Sequence, residues 1–257
     1  MTAATAKFYT SVIRPAVEWL ADATLILALA FALLSTHAML AMIVAYVFVV
    51  NPFVDGQGDG GVSLDKSNPL FPNTHPLCMG LAFGVFMPEA ALVYRWLPAS
   101  RPVKKYLHSA LHTAAIVASS IGWYVSWNTD EMVGFGHFNR LHSHIGLIAL
   151  FLFYCQYLAG FFAFLFPGAP LEDRPRYAPN HKFAGVLVIS IGAVAICTGV
   201  LYIQTAYAEQ FGITDTNQYF TIYIGLIALL TATMVAIGVS RSTAKQADTN
   251  LSLRPGH

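Results

Sequence analysis

Four histidines lie at the ends of separate apolar segments, and their positions predict two metal sites. His75 and His142 begin two of these segments at one end, and His108 and His181 begin two others at the opposite end. Ionisable side chains are costly at membrane depth and usually functional there. Neutral imidazole is the commonest metal ligand, and two facing histidines suit the axial positions of a haem iron, whereas zinc takes three or four ligands at one point. The pattern favours two haem sites over scattered structural histidines.

The elements that position these histidines are predicted to be membrane-spanning helices. The 257-residue chain is 56% apolar and 11% charged, whereas soluble domains carry about 25% charged residues. Roughly 20 apolar residues cross a hydrocarbon core. Six segments reach that length, which predicts an all-α integral membrane protein with six transmembrane helices: 20–50, 75–97, 105–127, 141–166, 182–206 and 218–240.

The distribution of charge predicts the orientation of these helices. Of the 14 lysines and arginines, all except Lys66 and Arg140 fall on the side of the two termini. The positive-inside rule makes that side the cytosol. His108 and His181 then lie towards the cytosol, and His75 and His142 lie towards the opposite side. That opposite side is acidic, with Asp55, Asp59, Asp65, Asp130, Glu131, Glu209 and Asp215.

Helical phase distinguishes some of the histidines from their neighbours. Two residues along a helix correspond to a rotation of about 200°, so His142 and His144 cannot share a face. The face of His142 is mostly small or polar, as expected beside a cofactor, and carries Gly146, Ala149, Phe153, Gln156 and Gly160. His144 lies on a bulky apolar face. His108 and His112 share one face, so phase does not choose between them.

Two further ionisable residues lie inside predicted helices. For His37 the favoured interpretation is a hydrogen bond to a neighbouring helix, because no second histidine can pair with it. Glu89 follows Pro88 deep in the second segment. It is predicted to make a structural polar contact at a kink or to take part in proton or electron transfer.

Several segments resemble the cytochrome b561 family of ascorbate-dependent transmembrane electron-transfer proteins. The resemblance covers roughly residues 70–205, with the motifs in the family's order and spacing. It rests on Asn73–Gly80, Leu92–Arg95, Leu107–His112, Leu141–Ser143, Phe164–Gly168 and Arg176–His181.

The resemblance implies a single domain, 1–257, whose four-helix core of about 70–206 holds two b haems. His75 and His142 would bind the non-cytosolic haem, and His108 and His181 the cytosolic one. The helices at about 20–50 and 218–240 would be peripheral, and a homodimer is expected. The chain departs from the family at His144, where a tryptophan is usual.

The same resemblance implies cytosolic ascorbate as the electron donor and either monodehydroascorbate or ferric iron as the acceptor on the other side. Ascorbate is expected to contact basic residues beside the cytosolic haem: Lys104, Lys105, Arg174, Arg176 and Arg101. The positive-inside rule offers an alternative reason for these cations. His137 is a candidate for acceptor contact or proton relay, and an ordinary surface histidine is the alternative.

The membrane could be an endomembrane or the plasma membrane, with both termini cytosolic, and no nucleic-acid partner is expected. A function of another class is a transporter or metal-ion channel whose histidines carry protons or metal ions without haem. A b-type haem spectrum that ascorbate restores after oxidation distinguishes the two hypotheses.

Overall fold

The structure, a computed structural model, describes the backbone of residues 3–50, 60–134, 136–211 and 215–252. Its described side chains are those of residues 5–48, 60–134, 136–205 and 219–240. The described chain is helical and contains no strand, which confirms the predicted all-α class. The α-helices are α1 (Ala3–Phe8), α2 (Arg14–Ala45), α3 (Thr74–Met79), α4 (Met87–Trp96), α5 (Arg101–Met132), α6 (Leu141–Gly160), α7 (Arg174–Phe211) and α8 (Asp215–Ser252).

Short π-helical turns extend or join several of these helices. They comprise Tyr9–Ile13 before α2, Tyr46–Val50 after it, Gly80–Phe86 between α3 and α4, and Phe161–Leu165 after α6. As a result, α3, the third of these turns and α4 form one continuous helical segment. Pro88 lies at the junction of the π-helical turn and α4. Because proline has no N–H, it removes one main-chain hydrogen bond from this continuous segment.

Five helical segments in the described part of the chain are long and apolar enough to cross a membrane. They are Thr5–Phe48, Phe71–Trp96, Leu141–Leu165, Arg174–Thr205 and Tyr219–Ser240, and they identify an integral membrane protein. The sixth predicted segment, 105–127, is helical as part of α5 but is not among these five. The 32 residues of α5 would extend about 48 Å. Its ends are charged and two histidines interrupt its apolar sequence, which explains the difference.

The helices pack so that the histidine-bearing segments lie together. Helix α7 packs against α6 and α8, and α5 packs against α3 and α4. The predicted peripheral helices α2 and α8 pack against each other and also against α4. Thr231 of α8 donates a hydrogen bond of 2.8 Å to the Ser35 hydroxyl of α2. The buried core between the helices includes Met39, Phe83, Phe153, Val188 and Val235.

Glu89 makes a polar contact between helices, as in the structural interpretation of this residue. Its carboxyl group accepts a hydrogen bond from the Thr36 hydroxyl of α2. His37 does not form the predicted bond to a neighbouring helix. Its Nδ1 lies 2.7 Å from the Leu33 carbonyl oxygen of its own helix and 3.9 Å from Glu89 Oε1. The hydrogen bond between Thr36 and Glu89 therefore helps to join α2 to α4.

The two ends of the bundle differ in charge. At one end, which we call the basic face, α4 ends and α5 and α7 begin, with Arg95, Arg101, Lys104, Lys105, Arg174, Arg176 and Lys182. At the other end, the acidic face, α5 ends with Asp130 and Glu131. Asp65 lies in the adjoining loop, where hydrogen bonds from the Ser67 backbone N–H and hydroxyl lower the pKa of its carboxyl group. The predicted charges of Asp55, Asp59, Glu209, Asp215, Arg241, Lys245 and Arg254 lie outside the described side chains.

Candidate functional site

The structure brings the four predicted histidines together in two pairs at opposite ends of the bundle. At the acidic face, the ring centroids of His75 and His142 are 6.1 Å apart and the ring planes are at 88°. At the basic face, the centroids of His108 and His181 are also 6.1 Å apart, with an angle of 64°. Two imidazoles bound to opposite sides of one metal ion, each at about 2 Å, have centres roughly 6 Å apart. Both pairs have the separation of axial ligands.

Hydrogen bonds to the main chain fix the tautomer of three of these rings. Nδ1 lies 2.9 Å from the Gly122 carbonyl oxygen in His75, 2.7 Å from that of Ala90 in His108, and 3.0 Å from that of Ala195 in His142. A carbonyl oxygen only accepts, so each Nδ1 carries the proton and Nε2 is left free. Metal-binding histidines commonly have this arrangement, in which an outer hydrogen bond orients the ring.

His181 is oriented by a side chain instead. The Gln156 amide nitrogen donates to the His181 carbonyl oxygen at 2.7 Å and lies 2.8 Å from His181 Nδ1. In this arrangement Nδ1 accepts a hydrogen bond, in contrast to the other three rings. Binding of a metal by Nε2 of the neutral ring moves the proton to Nδ1, so Gln156 must then present its amide oxygen. Gln156 was predicted only as a polar member of the His142 face.

Two glycines provide the space that the histidine rings occupy. A Cβ atom on Gly160 of α6 would lie 2.8 Å from Cε1 of His181 on α7. A Cβ atom on Gly199 of α7 would lie 2.9 Å from Cε1 of His142 on α6. Each helix therefore supplies one histidine to a site and the glycine that makes room for the histidine of the other site. Gly160 ends the face that helical phase assigned to His142.

The basic-face pair opens into a cavity of about 470 Å³, a volume in the range of small-molecule and cofactor sites. Its deep part is lined by apolar residues that include Met87, Phe153 and Ile189. Four cationic side chains line it as well: Arg95, Lys105, Arg174 and Lys182. No carboxylate lies among the described residues that line this cavity.

Two of the five predicted donor-binding residues line this cavity, namely Lys105 and Arg174. Lys104, Arg176 and Arg101 lie on the same face of the protein but outside the lining. Arg95 and Lys182 also line the cavity but were not predicted as site residues from the sequence. A helical stripe on α4 could have identified Arg95, because Met87, Ala91, Tyr94 and Arg95 follow helical spacing and all four line the cavity.

His112 lies beside the basic-face pair without forming part of it. Its ring centroid is 4.5 Å from that of His108, with the planes at 81°, and 5.8 Å from that of Phe153. The His112 Nδ1 atom is buried and makes no hydrogen bond to any described residue. Because His108 faces His181 and is fixed by a main-chain carbonyl, geometry favours it over His112 where helical phase did not.

The acidic-face pair borders a smaller cavity, of about 60 Å³. His137 lies at this cavity and stacks on Trp127, with centroids 3.7 Å apart and planes at 15°. Its ring nitrogens are 3.9 Å from an Asp130 oxygen and 3.8 Å from a Glu131 oxygen. Two carboxylates therefore lie close to His137, the candidate contact for the electron acceptor, and Arg140 pairs with one of them, Asp130, at 3.5 Å.

His144 is exposed, and its Nδ1 lies 3.0 Å from the Arg140 carbonyl oxygen of the preceding turn. Its ring contacts Phe138, with centroids 6.4 Å apart. The residue thus points away from the His75–His142 pair, as helical phase predicted.

Comparison with known proteins agrees with this geometry. The family profile for eukaryotic cytochrome b561 matches residues 74–206, which is more than half of the chain. The chain belongs to the cytochrome b561 family. The matched part of this cytochrome b561 contains all four paired histidines, whereas α2 and α8 lie outside it.

Relatives of this cytochrome b561 are found in plants and animals. Transmembrane ascorbate ferrireductase 2 of Arabidopsis thaliana is 30% identical over 191 residues, 70% of this chain and 80% of the relative. Transmembrane ascorbate-dependent reductase CYB561 of Ovis aries is 30% identical over 196 residues, 74% and 76% of the two chains. Ascorbate-specific transmembrane electron transporter 1 of Zea mays is 27% identical over 209 residues, 79% and 86% of the two chains.

Cytochromes b561 bind haem, and the basic-face site of this chain fits that group. A haem iron takes two axial protein ligands, and the described residues contain no group of three or more candidate ligands that would suit zinc. The buried, unpartnered nitrogens of Arg95 and His112 both belong to residues lining the large cavity. At the acidic face the histidine pair has the same separation and also fits a haem iron. The cavity there is smaller, so its lining side chains would have to move apart to admit a haem.

Proposed function

We propose that this cytochrome b561 carries electrons across a membrane from cytosolic ascorbate, through two b haems, to an acceptor on the other side. It is an oxidoreductase, as its family membership and the names of its relatives indicate. The observation that carries the two-haem proposal is the presence of two facing histidine pairs, one at each end of the bundle. The relatives from Arabidopsis and sheep are named as ascorbate-dependent enzymes, which supports the donor.

In this proposal α5 crosses the membrane as the sixth span. The core consists of the segments from α3 to α7, about 70–206, with α2 and α8 at its side. The basic face lies in the cytosol together with both termini, because lysine and arginine concentrate on that side. The membrane is an endomembrane or the plasma membrane, and the family resemblance supports a homodimer.

His75 and His142 hold one haem, and His108 and His181 hold the other. When bound, the haems supply reversible one-electron chemistry, which the protein tunes through axial ligands and burial. The main-chain carbonyls of Gly122, Ala90 and Ala195 orient three of the ligands. Buried apolar side chains between the two sites, among them Phe83 and Phe153, keep water out of the middle of the bundle.

Ascorbate binds at the mouth of the basic-face cavity in this proposal. As a monoanion it accepts charge-assisted hydrogen bonds from Lys105 and Arg174, which line the cavity. Lys104, Arg176 and Arg101 lie outside the lining and add positive potential that attracts the anion. Screening by salt limits this longer-range contribution to about 8 Å.

Replacing Lys105 with alanine should raise the KM for ascorbate by roughly one to two orders of magnitude, since a hydrogen bond to a charged group contributes about 1.5–3 kcal/mol. Both haems should remain bound, because Lys105 is not one of the four paired histidines that would hold them. The measurement is the initial rate of haem reduction over a range of ascorbate concentrations. Lys104→Ala is the matched comparison and should have a smaller effect. Equal effects of the two substitutions would contradict a specific contact by Lys105.

The acceptor is monodehydroascorbate or a ferric chelate, and His137 is the proposed contact for it. This residue lies at the acidic-face cavity beside two carboxylates, where it can contact an acceptor or relay a proton. The Arabidopsis relative is named as a ferrireductase, which supports iron as one acceptor. Carboxylates attract ferric ions and repel anionic radicals, although salt weakens both effects.

Purified protein in vesicles tests the proposal. With ascorbate inside and the basic face inward, a b-type spectrum should be reduced by ascorbate, and external ferric chelate or monodehydroascorbate should reoxidise it. Comparison of the two reoxidation rates identifies the preferred acceptor. Protein without a b-type spectrum would contradict the proposal and leave a histidine-lined transporter or channel as the explanation.

A further inference from the structure

The basic-face cavity contains more positive charge than a single donor molecule needs. Four cationic side chains line it, without a carboxylate among the described lining residues. Ascorbate carries one negative charge at neutral pH, whereas a b haem carries two carboxylates on one edge. The charge of the lining is therefore suited to a resident group with carboxylates in addition to the donor.

Arg95 differs from the other three cations in its surroundings. Its Nε atom is buried from solvent and makes no hydrogen bond to any described residue. A buried polar group without a partner costs about 1–3 kcal/mol, and more when it is charged. Native proteins rarely leave such a group unpaired, so the Arg95 guanidinium is expected to bind an acceptor inside the cavity.

The remaining cations are less suited to a buried carboxylate. Arg174 Nε already donates to the Ala169 carbonyl oxygen at 2.8 Å. Lys105 and Lys182 carry ammonium groups, which act as point charges. A guanidinium is planar, is more weakly hydrated and can form two parallel hydrogen bonds to one carboxylate.

Along α4 the lining of the cavity changes from apolar to charged, and Arg95 lies at the charged end. This residue lies in the last turn of α4, next to Tyr94, whose ring centroid is 5.6 Å from that of His108. Met87 and Ala91, earlier on the same stripe, line the apolar part of the cavity. An occupant with one charged edge and an apolar body matches this gradient along α4.

We propose that Arg95 binds a carboxylate of the haem held by His108 and His181, and so fixes that haem with its charged edge towards the basic face. This inference rests on the proposed function. It assigns Arg95 to the resident cofactor, whereas Lys105 and Arg174 serve the donor. An anionic oxygen of ascorbate is the other possible acceptor for Arg95, and the experiment separates the two.

The test compares Arg95→Ala and Arg95→Lys with the wild-type protein, and uses Arg176→Ala as a matched control. Arg176 is an exposed arginine on the same face that does not line the cavity. Haem content is measured first by the pyridine haemochrome method, and the potentials of both haems are then measured by redox titration. Ascorbate KM is measured on the same preparations.

Loss of the buried positive charge should favour the ferric state of the basic-face haem. We expect Arg95→Ala to lower its equilibrium constant for reduction at least tenfold, which is 59 mV for a one-electron couple. Arg95→Lys should produce a smaller decrease, and Arg176→Ala should leave the potential near that of the wild type. The potential of the haem at the acidic face should not change in any variant.

Reconstitution with haem dimethyl ester provides a second measurement. Its carboxylates are blocked, so the difference in potential between wild type and Arg95→Lys should disappear. Because this comparison uses only the wild type and Arg95→Lys, it still tests the inference if Arg95→Ala does not fold. An unchanged potential with a raised ascorbate KM would overturn the inference and assign Arg95 to the donor. A difference that persists with the ester would overturn it as well, whereas wild-type protein without haem would instead contradict the proposed function.

Discussion

Gly160→Ala should reduce haem occupancy at the basic face, and Gly199→Ala should reduce it at the acidic face. The added Cβ would lie 2.8 Å from His181 Cε1 in the first variant and 2.9 Å from His142 Cε1 in the second. Real Cβ atoms do not approach so closely, so in each variant the histidine ring must shift from its position in the pair. We expect haem content to fall from two towards one per chain, with loss of a different spectral component in each variant.

Two other glycines provide matched controls for this prediction. Gly225 of α8 and Gly136 of the loop before α6 line neither histidine cavity. A Cβ atom on Gly225 would lie 3.4 Å from Val200 Cγ2, an ordinary contact, and one on Gly136 would meet no atom within 4 Å. Both alanine variants should retain two haems, and Gly225→Ala should raise helix stability slightly because alanine is the better helix former. Full haem content in Gly160→Ala, with an unchanged spectrum, would show that His181 does not hold a haem in this position.

His108→Leu should remove the basic-face haem, whereas His112→Leu should retain it. Only His108 faces His181 and has its Nδ1 fixed by a main-chain carbonyl. Haem per chain, together with electron paramagnetic resonance of the ferric protein, measures the result. We expect His108→Leu to contain about half of the wild-type haem and to lose ascorbate-driven reduction.

The same experiment tests the assignment of His112. Leucine at this position removes a buried nitrogen that lacks a partner among the described residues, so the variant should fold at least as well as the wild type. A moderate spectral change is expected, because the His112 and His108 rings are in contact. Loss of haem in His112→Leu with retention in His108→Leu would reverse the assignment of the two residues.

Helical periodicity predicted the orientation of α6 correctly. Residues three, four or seven positions apart lie on one face of a helix, so the residues in phase with His142 face the other helices together. Ala149 and Phe153 on the His142 face are buried, whereas His144 is exposed. The same reasoning could not separate His108 from His112, since residues four apart lie on one face. That distinction depends on Ala90 and His181, which belong to other helices.

The members of the cation-lined cavity were only partly predictable for a related reason. Lys104 and Lys105 differ by one residue, which is about 100° of rotation on a helix. Only Lys105 lines the cavity, and sequence proximity to His108 does not reveal this difference. Arg95 approaches from α4 across the interface with α5, so its role requires tertiary packing.

The polar residues of α5 explain why this helix was predicted as a span but is absent from the five apolar helices.

On each of α6 and α7, a histidine and a glycine lie at the same separation along the helix axis. Eighteen residues separate His142 from Gly160, and eighteen also separate His181 from Gly199. Eighteen residues are five full helical turns, about 27 Å long. The histidine and the glycine of each helix therefore lie on the same helix face. Inserting or deleting one residue within either helix would rotate one end by about 100°. The distance between the two histidine pairs can therefore change only if α6 and α7 change together.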